Sequence, residues 1–411
     1  MVFSSYIFIL CFLPVFIIGY YFIGKFSKKY TAALVYIIIM SMIFYGYSNI
    51  RFLLILLASI LLNWKVSRLF YRDYISSNGR KALLCGGICA SILLIFYFKY
   101  YNFFAENINF LFSESLAIRD IILPLGISFY TFQQISFIVD SYHDETKDYK
   151  FLEYFGYVIF FPQLVAGPVV LHDEIIPQFR NTKIRDLDFD NLSAGIQMFT
   201  FGLFKKAVLA DTLGSGVTWT FSSLPSASSG DFIVTALCYT FQIYFDFSGY
   251  SDMAAGIAKM INIQLPLNFN SPYISYSITE FWKRWHITLT RFLTKYVYYP
   301  LGGNRCSRIK TYRNILTVFL LSGLWHGADW TFIIWGGLNG LAVIIERMSF
   351  KIKNDENRAC PLRWLWTFLT VNIFWLLFRS DTLTQWTYIL KRMLKFDNHS
   401  HGMINLTLLR I

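Results

Sequence analysis

The sequence predicts an all-α polytopic membrane protein of about ten or eleven transmembrane helices, with shorter re-entrant and interfacial helices among them. Hydrophobic residues make up 55% of the 411-residue chain and charged residues only 15%, where a soluble domain carries about 25% charged residues. Apolar stretches near the roughly 20 residues needed to cross a bilayer core recur along the whole length. Over the first half, basic residues collect in alternate loops, as the positive-inside rule requires of a multi-pass chain.

The first apolar stretch, 3–24, has no basic residue before it and no small-x-small cleavage pattern after it, so a retained span is expected rather than a cleaved leader. Lys25, Lys28 and Lys29 follow it and place the N-terminus outside. Residues 31–48 and 52–66 read as a helical pair with a very short turn, followed by a loop holding Lys65, Arg68, Arg72, Arg80 and Lys81. Residues 82–104 span back to a 105–119 loop with Glu106, Glu114 and Arg119. Residues 120–140 return to a loop with Lys147 and Lys150. The outside loops of this alternation hold only Arg51 and Arg119 as bases.

At 151–170, "FLEYFGYVIFFPQLVAGPVV", the pattern breaks at Pro162, Gly167 and Pro168. The loop after it carries Arg180, Lys183 and Arg185 although alternation puts it outside. A re-entrant segment resolves both facts, because proline lacks a backbone donor and non-helical backbone at membrane depth must be buried in protein. Further apolar stretches cover 191–210, 232–247, 252–265, 312–329, 330–346 and 362–379, several short for a full span. Residues 278–305 read as one interfacial helix, with Trp282, His286, Leu289 and Leu293 on one face and Lys283, Arg291 and Lys295 largely elsewhere. "SSLPSASSG" at 222–230 reads as a flexible loop, and no internal repeat is evident.

Several function classes drop out. The net charge of +12 is that of loops meeting anionic lipids, and no compact basic domain exists to bind nucleic acid. The six cysteines form no CxxC pair, so no zinc site or disulfide framework is implied; Cys85 and Cys89, one turn apart, read as packing residues. No metal site is expected: Asp186, Asp188 and Asp190 lack the glycine and distal glutamate of a calcium loop and read as a helix start. His399 and His401 read as solvated. There is no GxSxG, Walker A or GxGxxG motif.

An ionisable side chain inside a span is costly and therefore a candidate for function. His326 lies in "LSGLWHGADWTFIIWGGLNG" beside Gly323, Trp325, Gly327 and Trp330. Its imidazole can take a proton near neutral pH, and small neighbours leave room for a substrate; a core histidine bonded to another helix is the alternative. Asp329, three residues on, either orients that imidazole or caps the helix that follows. His286 would face inward from the interfacial helix. Asp246 in "YFDFSGYSDMAAGIAKM" needs a basic partner such as Arg284, while Ser248 or Ser251 would cap a helix beginning near Asp252. Gln133 and Gln134 fit interhelical hydrogen bonds or a tunnel lining.

The stretches "PLGISFYTFQQISFIVDSY", "FFPQLVAGP", "YFDFSGYSDMAAGIAKM", "FWKRWHITLTRFLTKYVYYPLGGNR" and "LLSGLWHGADWTFIIWGGLNG" stand in this order over roughly 124–345. Together they resemble the membrane-bound O-acyltransferase superfamily, in particular its alginate O-acetylase branch. The resemblance implies one membrane domain, with N-terminal helices in 1–120, a catalytic core in 121–346 and C-terminal helices in 347–411. The chain ends a span or two short of many alginate-type relatives, so either a compact or a truncated member is expected. By the resemblance His326, in the WHG motif, is the catalytic histidine and His286, in the RWH motif, its companion; from the reading of the residues above, Trp325, Asp329, Asp246, Arg284 and Gln133 are expected in supporting or substrate-binding places. It also implies no resident cofactor, acetyl-CoA as a cytoplasmic donor, and an acceptor outside the bacterial inner membrane, either a polysaccharide or an SGNH-type acetyltransferase partner. A transporter or flippase of an acylated carrier is the rival reading; the paired, broken-helix halves such proteins often show are missing from this sequence.

Overall fold

The computed structural model describes residues 1–27, 29–349 and 360–395, and no strand occurs among them. His399 and His401, Lys28 and much of the 347–411 segment lie outside the described residues. The chain forms two compact units, Met1–Gly202 with Tyr250–Pro266, and Leu203–Gly249 with Leu267–Ile411.

In the first unit a π-helical turn, Phe8–Phe12, leads into α1 (Leu13–Phe26), followed by α2 (Tyr30–Gly46) and α3 (Ile50–Leu69). Then α4 (Ser77–Ile95) continues through a second π-helical turn into α5 (Tyr101–Phe112). The expected loop at 105–119 is thus helical in its first half, and the helix ends where Ser113 turns left-handed at φ 54°. Next come α6 (Ile127–Tyr142), α7 (Phe151–Ile159), α8 (Phe161–Leu164), α9 (His172–Arg180) and most of α10 (Phe189–Phe204). The break between α7 and α8 falls at Phe160, and Phe160, Phe161, Leu164, Val169 and Val170 are all buried. That is the shielding a non-helical backbone needs away from water. Polar side chains knit the unit together. Asn63 of α3 donates to Gln134 of α6 at 3.1 Å, and Gln134 donates to Ser59 at 3.0 Å. Asp188 accepts from the backbone N–H groups of Asp190 and Asn191, so this acidic run is the start of α10. Cys85 and Cys89 are exposed on α4 rather than packed in the core.

The second unit holds a π-helical turn (Lys205–Ala210), α11 (Asp211–Ser222), the first two-thirds of α12 (Ser229–Met260), α13 (Ile278–Arg284) and α14 (Ile287–Leu293). It is completed by α15 (Arg308–His326), α16 (Trp330–Ser349), α17 (Pro361–Arg379) and α18 (Leu383–Leu394). The stretches at 232–247 and 252–265 are not separate helices: α12 runs unbroken from the first into the second and ends at Met260, so no helix starts near Asp252 for Ser248 or Ser251 to cap. The 222–230 loop is pinned where Ser228 donates its N–H and hydroxyl to Asp231 at 2.9 and 2.8 Å.

Five helical stretches among the described residues are long and apolar enough to cross a membrane: Phe8–Phe26, Ile50–Leu69, Ser77–Phe112, Trp330–Ser349 and Pro361–Arg379; Tyr30–Gly46 is apolar but shorter. Length and composition alone therefore give fewer spans than the ten or eleven expected. The remaining long helices carry charge: α15 opens with Arg308, Lys310 and Arg313, and α12 contains Asp231, Asp246, Asp252 and Lys259.

Candidate functional site

The site forms within the second unit around a tight α15–α16 hairpin. A Cβ on Gly323 would lie 2.2 Å from the Phe332 carbonyl oxygen, and one on Gly336 would lie 2.3 Å from that of Phe319. Only glycines let the two backbones cross this closely. A Cβ on Gly327 would meet the Phe332 ring at 2.2 Å. The small residues around His326 thus admit α16, not a substrate.

His326 is the last residue of α15, half-buried, with its ring edge-on to Trp335 at 5.2 Å and Phe378 at 5.1 Å. Asp329 lies beyond the helix end. Its carboxylate accepts from the Thr331 N–H at 2.9 Å, so it caps α16, and it does not line the cavity described below.

The segment expected to be one helix over 278–305 breaks at Trp285–His286. His286 adopts φ 44° and ψ 54° between α13 and α14. For a side chain of this size a left-handed backbone costs on the order of 1–3 kcal/mol, and it persists only where its surroundings over-determine it. Here two backbone bonds bracket it: Asn270 N–H donates to the Arg284 carbonyl at 3.0 Å, and Ile287 N–H donates to the Asn268 carbonyl at 2.9 Å. The His286 ring is 1% exposed. Its Nδ1 lies 3.0 Å from Asn268 Oδ1, while Nε2 is buried with no hydrogen-bond partner among the described residues. Phe247 meets the ring edge-on at 4.7 Å, and Trp325 touches the rings of both histidines, at 5.9 Å from His286 and 4.7 Å from His326.

Both histidines line one cavity of about 300 Å³. On α15 the lining residues are Ile315, Val318, Phe319, Ser322 and His326, one helical face that rises about 16 Å at 1.5 Å per residue. Because α16 runs antiparallel to α15, its Arg347 lies toward the Ile315 end, away from His326. Arg347 donates to Asn304 Oδ1 at 3.2 Å, and the Tyr298 hydroxyl donates to the same oxygen. Lys283 also lines the cavity. The chamber therefore has imidazoles at one end and a basic, hydroxyl-bearing region at the other. Tryptophans back it, with Trp335 stacked 5.7 Å from Trp375 and Trp285 tilted 4.8 Å from Trp375.

Three more expected site residues lie outside the cavity. Asp246 pairs with Lys206 at 2.7 Å and Arg284 with Glu280 at 2.9 Å, so the Asp246–Arg284 pair is not formed; Glu280 is one turn away on the same helix and wins on distance. Gln133 is buried in α6 of the first unit. Conversely, sequence reading missed Asn268, Arg347, Asn304 and Tyr298. Asn268 sits in an unremarkable "LNFNSPY", and nothing in one-dimensional spacing relates it to a histidine eighteen residues on. Asp140, Glu145 and His172 in the first unit come within 4.8 Å of one another. Asp140 and His172 already hydrogen-bond at 2.9 Å.

Residues 95–383 match the family model described as MBOAT, membrane-bound O-acyltransferase family. The chain is 38% identical to the "Peptidoglycan O-acetyltransferase" of Helicobacter pylori, covering 97% of this chain and 81% of that protein. It is 39% identical to the "Probable alginate O-acetylase AlgI" of Pseudomonas aeruginosa, covering 93% of this chain and 73% of that one. A more distant similarity, 26% over 65% of this chain and 68% of the relative, is to the "Teichoic acid D-alanyltransferase" of Bacillus subtilis.

Proposed function

The chain belongs to the membrane-bound O-acyltransferase family, and from that premise we propose that it moves an acetyl group from a cytoplasmic thioester donor, acetyl-CoA, to a hydroxyl outside the cytoplasm. The acceptor is a cell-envelope polysaccharide or an SGNH-type acetyltransferase partner that completes the glycan's O-acetylation. The observation that carries this reading is one cavity lined by His286, Lys283 and His326 and, toward its far end, by Arg347. The imidazole end suits proton transfer; the basic end suits the phosphates of the donor. The loop and first turns leading into α15 hold Arg305, Arg308, Lys310 and Arg313. Such a basic cluster belongs on the cytoplasmic side, which puts the Arg347 end of the cavity nearest the donor. By the same rule the N-terminus lies outside the inner membrane.

In the transfer, His326 takes the proton from the acceptor hydroxyl as its oxygen bonds to the acyl carbon. The carbon–sulfur bond then breaks, and the departing thiolate takes that proton from the imidazolium. His286 holds a reactant in place through its inward-facing nitrogen. General-base assistance of this kind is worth about 10²–10⁴-fold, and fixing both reactants in one chamber adds to it. His326→Ala is expected to abolish O-acetyl esters on the envelope polysaccharide of a complemented deletion strain, while the protein remains in the membrane at normal level. His286→Ala is expected to impair acetylation less completely. Normal ester content with His326→Ala removes the assignment. In proteoliposomes, movement of an acylated carrier without release of CoA from acetyl-CoA favours a transporter.

A further inference from the structure

The oxygen facing His286 is an acceptor by necessity. Asn268 Oδ1 receives the Thr288 hydroxyl at 2.9 Å and the Thr288 backbone N–H at 3.4 Å. A backbone N–H only donates, so the amide end turned toward it is the carbonyl. The His286 Nδ1 atom, 3.0 Å from the same oxygen, must then carry the hydrogen. A neutral imidazole has one N–H, so the lone pair falls on Nε2, the atom left unpartnered where the ring lines the cavity. All three residues are shut away from solvent, with Asn268 3%, Thr288 1% and His286 1% exposed. The backbone bonds from Asn270 and Ile287 hold the left-handed turn that aims the ring.

We infer that Asn268 is a positioning residue for the transfer reaction, fixing His286 in the Nδ1–H tautomer so that its Nε2 lone pair faces the acyl-transfer chamber. This inference rests on the proposed reaction for its purpose, and on the hydrogen-bond geometry for its content. The titratable and charged groups that share the chamber with His286 are His326 from α15, Lys283 from α13, Arg347 from α16, and Tyr298 and Tyr299. The hydrogen bond at Nδ1 goes to Asn268 Oδ1, so the tautomer is set from the Asn268 side.

The test separates the ring's state from the chemistry. The full chain, ¹⁵N-labelled at histidine and held in lipid nanodiscs, is compared by solid-state NMR with the His286→Gln variant to assign the His286 ring nitrogens. Wild type is expected to show Nδ1 protonated and Nε2 bare at neutral pH. Asn268→Val is expected to lose that preference. Asn268→Asp keeps an acceptor but adds a negative charge beside Nδ1–H, which favours the imidazolium. Its ring therefore gains a proton at higher pH, and the acid limb of acetylation moves to higher pH. In complemented cells Asn268→Val should fall to the level of His286→Ala, whereas Asn268→Asp retains acetylation. If Asn268→Val does not fold, Asn268→Asp carries the test: a His286 ring that gains its proton at the same pH as in wild type overturns the inference. A wild-type ring protonated on Nε2, or an unchanged tautomer in folded Asn268→Val, overturns the inference. If wild type transfers no acyl group yet shows the Nδ1–H tautomer, the proposed function fails and the assignment of Asn268 as the group that sets the ring stands.

Discussion

A carboxylate just past the end of one helix is worth most where it meets the free N–H groups of the next. Asp329 does this, accepting from the Thr331 N–H at 2.9 Å. Loss of such a cap costs typically about 1 kcal/mol. Asp329→Ala is therefore expected to lower the thermal unfolding midpoint in detergent while leaving turnover per folded molecule near wild type. A hundredfold loss of turnover with an unchanged midpoint would assign the carboxylate to the chemistry instead. The contrast with His326 is one of surroundings. His326 is framed by Trp325, Trp335 and Phe378 and faces the chamber, whereas Asp329 is spent on backbone. Proximity in sequence to the imidazole was legible; which partner each group takes was not, because the competing donor is fixed only when α16 starts at Trp330.

At the scale of elements, the α15–α16 hairpin sets where His326 points. Gly323 and Gly336 permit backbone contact that a single methyl group would forbid. Gly323→Ala is expected to push α16 away and cost roughly 1–3 kcal/mol by overpacking, with a matching fall in acetylation as the helix end shifts. Gly337→Ala is the control. Its Cβ would meet only the Leu320 side chain at 3.6 Å, an ordinary contact, and alanine is the better helix former. Equal effects of the two substitutions on stability and acetylation would contradict this account of the hairpin. The glycines stand out in the sequence, and their need for close approach was readable there. What approaches them required the fold. The break at His286 shows the complementary limit: the periodicity of 278–305 favours one helix, yet backbone bonds from 268–270 stop it.

At the scale of the whole molecule, the first unit carries a buried charge network that makes stability depend on pH. Glu153 is 1% exposed and receives the Arg180 guanidinium through two 2.7 Å bonds, along with the Tyr30 hydroxyl at 2.8 Å. Burial by itself raises the Glu153 pKa; the bonds from Arg180, the Lys150 N–H and Tyr30 outweigh it, and the net shift is downward. A carboxyl group depressed in the folded state stabilises the protein above its unfolded pKa. That contribution is lost as pH falls through the ordinary value of 4.5 and below. With Arg180 37% exposed, solvent screening holds the effect to the order of 1 kcal/mol. Unfolding midpoints of wild type and Glu153→Gln, measured against pH in detergent, should differ in slope over this acid range, with wild type the steeper. Parallel curves would show that the network does not couple to folding.

Composition and hydropathy by themselves determined that the chain is an all-α membrane protein, because a bilayer admits few ways to satisfy a backbone and sorts loops by charge. Ordered motifs were enough to pick out both histidines as the residues to examine. Only the tertiary structure decided that both rings line one cavity, that Asp246 and Arg284 take other partners, that Asn268 bonds His286 and that Arg347 lines the same cavity. Those outcomes depend on hydrogen bonds and contacts between residues far apart in the chain, where strength depends on ångström-scale distance and direction, and sequence order carries neither.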